Sequence, residues 1–156
     1  MNKLKFLPIL LMPMTTFATL GQDMVSVAKD AVNLGIVDNT AHVQTAIIES
    51  SIPNDNNTYS IYQMTTTSGI EIKQYIADDK VFAITWQGES SPNLNQLLGK
   101  YFHTYTNATP KYKSSALLRI EDQDLIIYYG NIDNYFYGRA IISTLVPSGL
   151  SMIKIK

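Results

Sequence analysis

The apolar positions of this chain change period along its length, and the changes divide it into elements. Between residues 23 and 34, Met24, Val27, Ala28, Ala31 and Leu34 recur at the spacing of one helix face, while Lys29, Asp30 and Asn33 fall opposite. Asp23 stands where a carboxylate caps a first turn and Gly35 where a left-handed residue ends a helix, so the pattern predicts a packing helix over 23–34. Residues 42–48 read as a strand and 52–57 as a polar connector. Three runs rich in β-branched and aromatic residues follow at 59–66, 70–77 and 81–86, parted by the turn residues Ser68-Gly69 and Asp78-Asp79-Lys80. In the second run Ile70, Ile72, Gln74 and Ile76 alternate with Glu71, Lys73, Tyr75 and Ala77, which sends one mostly apolar face to the core.

A loop at 89–92 leads into a second predicted helix, from Pro92 or Asn93 to Tyr105, since proline suits a first helical turn where its missing N–H has no partner. Leu94, Leu97, Leu98, Tyr101, Phe102 and Tyr105 share one broad face, and the periodicity gives no reason for Gly99. Strand patterns return at 117–121, 124–129 and 135–145, with turns at Asp122-Gln123 and across 130–134, and residues 152–155 read as a closing edge strand. Helix, meander, helix, meander is the order of an α+β fold: a single domain whose antiparallel β-sheet, built of meanders, packs against two α-helices.

The first eighteen residues stand outside this scheme. Lys3 and Lys5 open a stretch that is apolar from Phe6 to Met14 and ends in Thr16-Phe17-Ala18, with small residues where an export peptidase reads them. The apolar run is about half of the roughly 20 residues a bilayer-spanning helix needs, and Pro8 and Pro13 interrupt it. The expected layout is a cleavable signal peptide at 1–18 and one domain at 19–156, periplasmic or extracellular, with no stable membrane insertion after cleavage.

Cleavage would remove two lysines, taking Lys+Arg from 12 to 10 against 13 acids and the net charge from −1 to −3. The 156 residues less these 18 leave 138, enough for one domain with its own core. A weakly acidic chain with scattered cations, Lys111 and Lys113 being a close pair, lacks the basic patch by which nucleic-acid binders neutralise phosphates. With no cysteine there is no disulfide, thiolate nucleophile, thiolate metal site or lipid attachment point.

The string Val81-Phe82-Ala83-Ile84-Thr85-Trp86-Gln87-Gly88, followed by Pro92-Asn93-Leu94, Leu97-Leu98-Gly99 and Tyr101-Phe102, resembles the core pattern of a bacterial family of exported proteins, domain of unknown function 2844 (DUF2844). Leu20-Gly21, Ser26-Val27, Gly138-Arg139-Ala140 and Pro147-Ser148-Gly149-Leu150-Ser151 extend the resemblance, in order and spacing, over nearly the whole mature chain. It implies an exported bacterial protein and brings no activity, cofactor or catalytic residue with it. The chain departs from the family pattern at Gln74, where the family has an acid, at Glu89 (a proline), at Asn93 (an aspartate) and at Gly130-Asn131-Ile132 (a Gly-His-Met-like stretch). A site built on those family residues would be altered here.

Candidate chemistry is sparse. His42 and His103 are 61 positions apart with no His-x-x-x-His pair, so neither a metal nor a cofactor is expected. No Gly-x-Ser-x-Gly elbow exists, and Ser90-Ser91 and Ser114-Ser115 read as loops. Glu121, Asp122, Asp124, Asp78 and Asp79 read as solvated turn acids, because raising a carboxyl for acid work requires burial or a close like charge. Asn56-Asn57-Thr58 and Asn107-Ala108-Thr109 match the glycosylation triplet and read as surface loops.

The unusual feature is aromatic. All ten tyrosines follow residue 58, and Tyr128, Tyr129, Tyr135, Phe136 and Tyr137 crowd one turn between two strands. Tyrosine offers an apolar face with a hydroxyl, which suits a stacking surface for a glycan or peptide; it also favours strands and fills core edges. Trp86 is either a core anchor or a groove wall, and the planar fork of Arg139 either grips a carboxylate or phosphate or pairs with a structural acid. The expectation is a noncatalytic exported binding or envelope-accessory domain, with Trp86, Tyr128, Tyr135, Tyr137 and Arg139 as ligand-binding residues for an unidentified envelope ligand or protein. Two alternatives stand beside it: a small envelope hydrolase acting on glycan or peptide through paired acids, and a secreted enzyme inhibitor using the loop at 89–92.

Overall fold

A computed structural model of the chain describes residues 20–24, 27, 42–47, 58–108 and 117–156, with 42–47 described by backbone pairing. Seven strands, β1 (His42–Ile47), β2 (Thr58–Thr65), β3 (Glu71–Ala77), β4 (Lys80–Gly88), β5 (Leu117–Asp122), β6 (Leu125–Ile132) and β7 (Tyr135–Ile142), form one antiparallel sheet. Its order is β1-β2-β3-β4-β7-β6-β5. The two meanders expected from the sequence are thus halves of a single sheet, joined where β4 pairs with β7 from Ala83↔Ile141 to Gly88↔Phe136.

Two hairpins close through two-residue turns that need positive φ at both central positions, and short polar side chains tolerate that conformation. Asp78 (φ 48°) and Asp79 (φ 58°) join β3 to β4, and Asp133 (φ 51°) and Asn134 (φ 65°) join β6 to β7.

The fold is mostly β. Among the described residues there is one helical segment of 15 residues: α1 (Leu94–Leu98), a 3-10 turn (Gly99–Tyr101) and α2 (Phe102–Ala108). Asn93 caps it, its side-chain oxygen accepting from the Gln96 N–H at 3.2 Å. Gly99, which periodicity left without a reason, takes φ 49° where the α-helix tightens into the 3-10 turn. No helix among the described residues is long and apolar enough to cross a membrane.

Of the predicted 23–34 helix, Met24 and Val27 are helical, Asp23 forms an isolated antiparallel bridge with Lys80, and the rest lies outside the described residues. Val27 is buried as expected, but Met24 is 45% exposed and does not belong to the buried stripe. Residues 1–18, the 52–57 connector, Lys111, Lys113 and Ser114-Ser115 also lie outside the described residues.

Two boundaries at the C-terminal end differ from the pattern. β7 stops at Ile142 because the Ser143 N–H and hydroxyl both donate to the Asp124 carbonyl (2.7 and 3.0 Å) and the Thr144 hydroxyl donates to the Asp124 carboxylate (3.1 Å), folding Ser143–Leu145 into a 3-10 turn. Residues 152–155 are not an edge strand: Met152–Lys154 is a 3-10 turn lying on one sheet face, where Arg139 donates to the carbonyls of Met152 and Ile155.

Both faces of the sheet carry apolar clusters. On one, Ile72, Ile84, Trp86, Ile127 and Ala140 pack against Leu94, Leu97 and Leu98 of the helix and against Leu20 and Val27. Each such fully buried leucine or isoleucine contributes roughly 1.5–3 kcal/mol. On the other, Tyr75, Phe82, Ala83 and Ile141 are covered by Leu150 and Ile155 of the C-terminal segment. Consecutive Phe82 and Ala83 reach that one cluster because the β3–β4 register shifts between Tyr75 and Ile76, a bulge that re-phases β4.

Candidate functional site

The C-terminal segment covers only one end of its sheet face, and the remainder forms a groove of about 460 Å³. Strand alternation decides what lines it. Cross-strand pairing aligns Lys73 with Thr85, Thr85 with Arg139, Arg139 with Tyr128 and Tyr128 with Arg119, one row running over five strands. The next row on the same face is Glu71, Gln87, Tyr137, Gly130 and Leu117. Lys73, Thr85, Arg139 and Tyr128 of the first row and Glu71, Gln87, Tyr137 and Leu117 of the second line the groove, with Ile155 and Lys156 as its end wall.

Arg139 organises this surface. Its Nη1 donates to the Met152 carbonyl at 3.3 Å and to the Ile155 carbonyl at 3.2 Å, and its guanidinium lies 4.3 Å from the Tyr128 ring centre. Arg119 approaches the same ring at 5.6 Å and forms an ion pair with Glu121. Of the two roles expected for Arg139, pairing with a structural acid is not seen among the described residues: its structural partners are backbone carbonyls.

The end wall is fixed by Tyr75, whose hydroxyl donates to the Lys156 carbonyl at 2.7 Å and accepts from the Lys156 N–H at 3.1 Å. Lys73 Nζ donates to that carbonyl at 3.3 Å. Burial raises the Tyr75 hydroxyl above its ordinary value, and the hydrogen bond to the Lys156 backbone opposes that rise. Along the other wall the Gln87 amide donates to the Glu71 carboxylate at 2.7 Å. The phenol end of Tyr137 lies over Gly130, so close that a Cβ there would overlap it.

Three of the five residues singled out from the sequence, Tyr128, Tyr137 and Arg139, come together in the groove. Tyr135 alternates onto the same face but sits at the hairpin end, 44% exposed and outside the groove lining. Trp86 borders the groove by its place in β4, yet its side chain is 2% exposed and belongs to the helix-side core, 6.5 Å from the Tyr129 ring. The aromatic crowd thus divides by parity: Tyr129 and Phe136 join the helix side with Tyr105, while Tyr128 and Tyr137 face the groove. Burial, and then the neighbouring Tyr129, raise the Tyr105 hydroxyl.

Sequence reading missed Lys73, Thr85 and Gln87. Their signal was the alternation of β3 and β4, but the bulge hides it: counting back from the Asp78-Asp79 turn without a register shift sets Lys73 opposite Ile84 instead of Thr85.

The family model described as protein of unknown function (DUF2844) matches residues 16–155, nearly the whole chain. The chain belongs to that family. No curated protein and no solved structure matches it.

In this DUF2844 domain the turn acids Asp78, Asp79, Glu121 and Asp122 are exposed as expected, and two of the five also make structural bonds: Asp124 ties down the Ser143–Leu145 turn, and the Asp122 carboxylate accepts from the Thr104 hydroxyl at 3.3 Å. His103 is exposed on α2 with the Asn107 amide 3.1 Å from its ring, so Asn107 lies on a helix and not on the surface loop expected for its triplet. Among the described residues no group of three or more His, Cys, Asp or Glu side chains is placed to hold a metal ion. Glu71 is the carboxylate side chain lining the groove, and no nucleophile–base pair faces it among the described residues. The groove's residues are equipped for recognition by charge, hydrogen bonding and ring contact.

Proposed function

We propose that this DUF2844 domain is a noncatalytic binding domain, exported to the periplasm or beyond, and that the groove on the open sheet face receives its ligand. The carrying observation is the pair of rows that brings Lys73, Arg139, Tyr128 and Tyr137 around one concavity of about 460 Å³. That size falls within the roughly 300–1,000 Å³ of small-molecule sites, which combine apolar walls with a few fixed polar groups. Arg139 and Tyr75 hold the end wall through backbone carbonyls, so the groove is pre-organised. Export is supported by the tripartite pattern of residues 1–18.

Thermal melting of the purified protein against envelope sugars, peptidoglycan fragments, peptides and lipids tests the binding reading. A ligand at 100 times its dissociation constant stabilises by about 2.7 kcal/mol, a shift of several degrees. The expected result is a shift that Tyr137→Leu abolishes. Turnover of a substrate, removed by one point substitution, would overturn the noncatalytic reading. Export is tested by N-terminal sequencing of protein from cell fractions, with Thr19 expected as the first residue.

A further inference from the structure

We propose that the groove selects a ring-bearing carboxylate, that is, a flat or faceted ring carrying an acid group, of the kind found in uronic-acid sugars and aromatic acids. This rests on the groove being the binding site and names the class of ligand it takes.

The first argument is charge. Acids outnumber bases by one over the whole chain, yet among the described residues Lys73 and Arg139 border the groove against one carboxylate side chain, that of Glu71. That carboxylate accepts from Gln87 along the wall. The groove is a local reversal of the protein's sign and favours an anion.

The second is donor geometry. Arg139 uses Nη1 on the two carbonyls, and those bonds with the Tyr128 contact set the guanidinium plane. Of its five N–H donors, those on Nε and Nη2 have no partner among the described residues, and they make one edge of the fork, which matches a carboxylate bidentately.

The third is the wall. The Tyr137 phenol lies over Gly130, a position where only the missing Cβ permits it, and Leu117 and Ile155 add apolar surface beside it. A tyrosine ring held over the sheet is a stacking platform for a sugar or aryl ring. A bare phosphate would leave Tyr137, Leu117 and Ile155 without contact, and a neutral ring would leave Lys73 and Arg139 without an anion.

Calorimetric titration of the purified protein with trigalacturonate and its methyl ester, with 2-naphthoate and 2-naphthalenemethanol, and with acetate tests this. At least one ring acid is expected to bind roughly tenfold or more tightly than its neutral counterpart, with acetate weaker still. Trigalacturonate against naphthoate separates a sugar source from an aromatic one. Lys73→Gln is expected to weaken the ring acid roughly three- to tenfold and to reduce its salt dependence. Tyr137→Leu is expected to erase the preference over acetate. Arg139→Lys, which keeps the charge but not the fork, is expected to weaken binding while circular dichroism stays unchanged. Equal binding of acid and neutral ring, with loss in Tyr137→Leu, would overturn the carboxylate assignment and leave the groove as a site. Binding of a ring acid that neither Lys73→Gln nor Tyr137→Leu weakens would overturn both, and absence of binding by both ring acids would overturn the class.

Discussion

Adding one methyl group at Gly138 should cost this fold about as much as any single-carbon change can. Gly138 stands between Trp86 on β4 and Tyr129 on β6, and the two rings meet over it at 6.5 Å. A Cβ at this position would overlap the Trp86 ring, with Cε2 at 2.5 Å, and would lie 2.8 Å from the Tyr128 carbonyl oxygen. Trp86 is 2% exposed and packed by the helix-side core, so its ring has no free volume to enter, and the carbonyl belongs to a paired strand. Overpacking costs about 1–3 kcal/mol, and interference from two sides places Gly138→Ala near the upper end, about 3 kcal/mol. For a domain of this length that corresponds to a fall of about 10 °C in Tm. Trp86 is the only tryptophan, so urea and thermal unfolding followed by its fluorescence report on the perturbed site directly. A double-mutant cycle isolates the cause: in a Trp86→Leu background the same alanine should cost about 1 kcal/mol, a coupling of about 2 kcal/mol. A Gly138→Ala protein within about 0.5 kcal/mol of the parent, or an undiminished cost beside Leu at 86, would refute the reasoning.

Three further outcomes follow from the same geometry. The three atoms nearest an added Cβ at Gly130 all belong to the phenol end of Tyr137, a half-buried ring that can swing outward, so in Gly130→Ala stability should fall by less than about 1 kcal/mol while ring-ligand affinity drops; a cost near that of Gly138→Ala, measured by urea titration, would contradict this. Gln74 is fully buried with neither amide atom partnered among the described residues, so Gln74→Met should stabilise by about 1–3 kcal/mol, and a lowered Tm would show that the amide has a partner. Burial raises Tyr75 above 10.0, and the unfolded chain therefore loses that proton first as pH rises. Its contribution is complete below the unfolded value of about 10 and is lost as pH climbs through the higher folded value, so Tm should decline as pH rises past about 10 and decline less in Tyr75→Phe. An identical decline in both proteins would remove Tyr75 as the cause.

Most of the sheet was legible because alternation and turn chemistry are local. Asp78-Asp79 and Asp122-Gln123 mark hairpins whatever the rest of the chain does, and the leucines of 94–98 define a helix face at any tertiary position. What connects the halves is not local: nothing in either meander specifies that β4 pairs with β7. That pairing assembles the groove, since Thr85 and Gln87 meet Arg139 and Tyr137 only across it. The aromatic crowd at 128–137 was visible, but its division between the two faces needed the β6–β7 register. Residues 152–155 misled because Ile153 and Ile155 alternate with lysines as a strand would, whereas Arg139 and Tyr75 draw this segment's carbonyls down onto the sheet face.

The central claim is that ligand meets this protein on the open sheet face, and amide chemical-shift mapping of the labelled protein during titration with trigalacturonate or 2-naphthoate tests it most directly. The account expects the largest shifts at Lys73, Thr85, Gln87, Tyr128, Tyr137 and Arg139, with the helix residues Leu94, Leu97 and Leu98 unmoved. Saturable shifts confined to the helix side or to the Asp122–Asp124 end of the sheet would place binding elsewhere and contradict it.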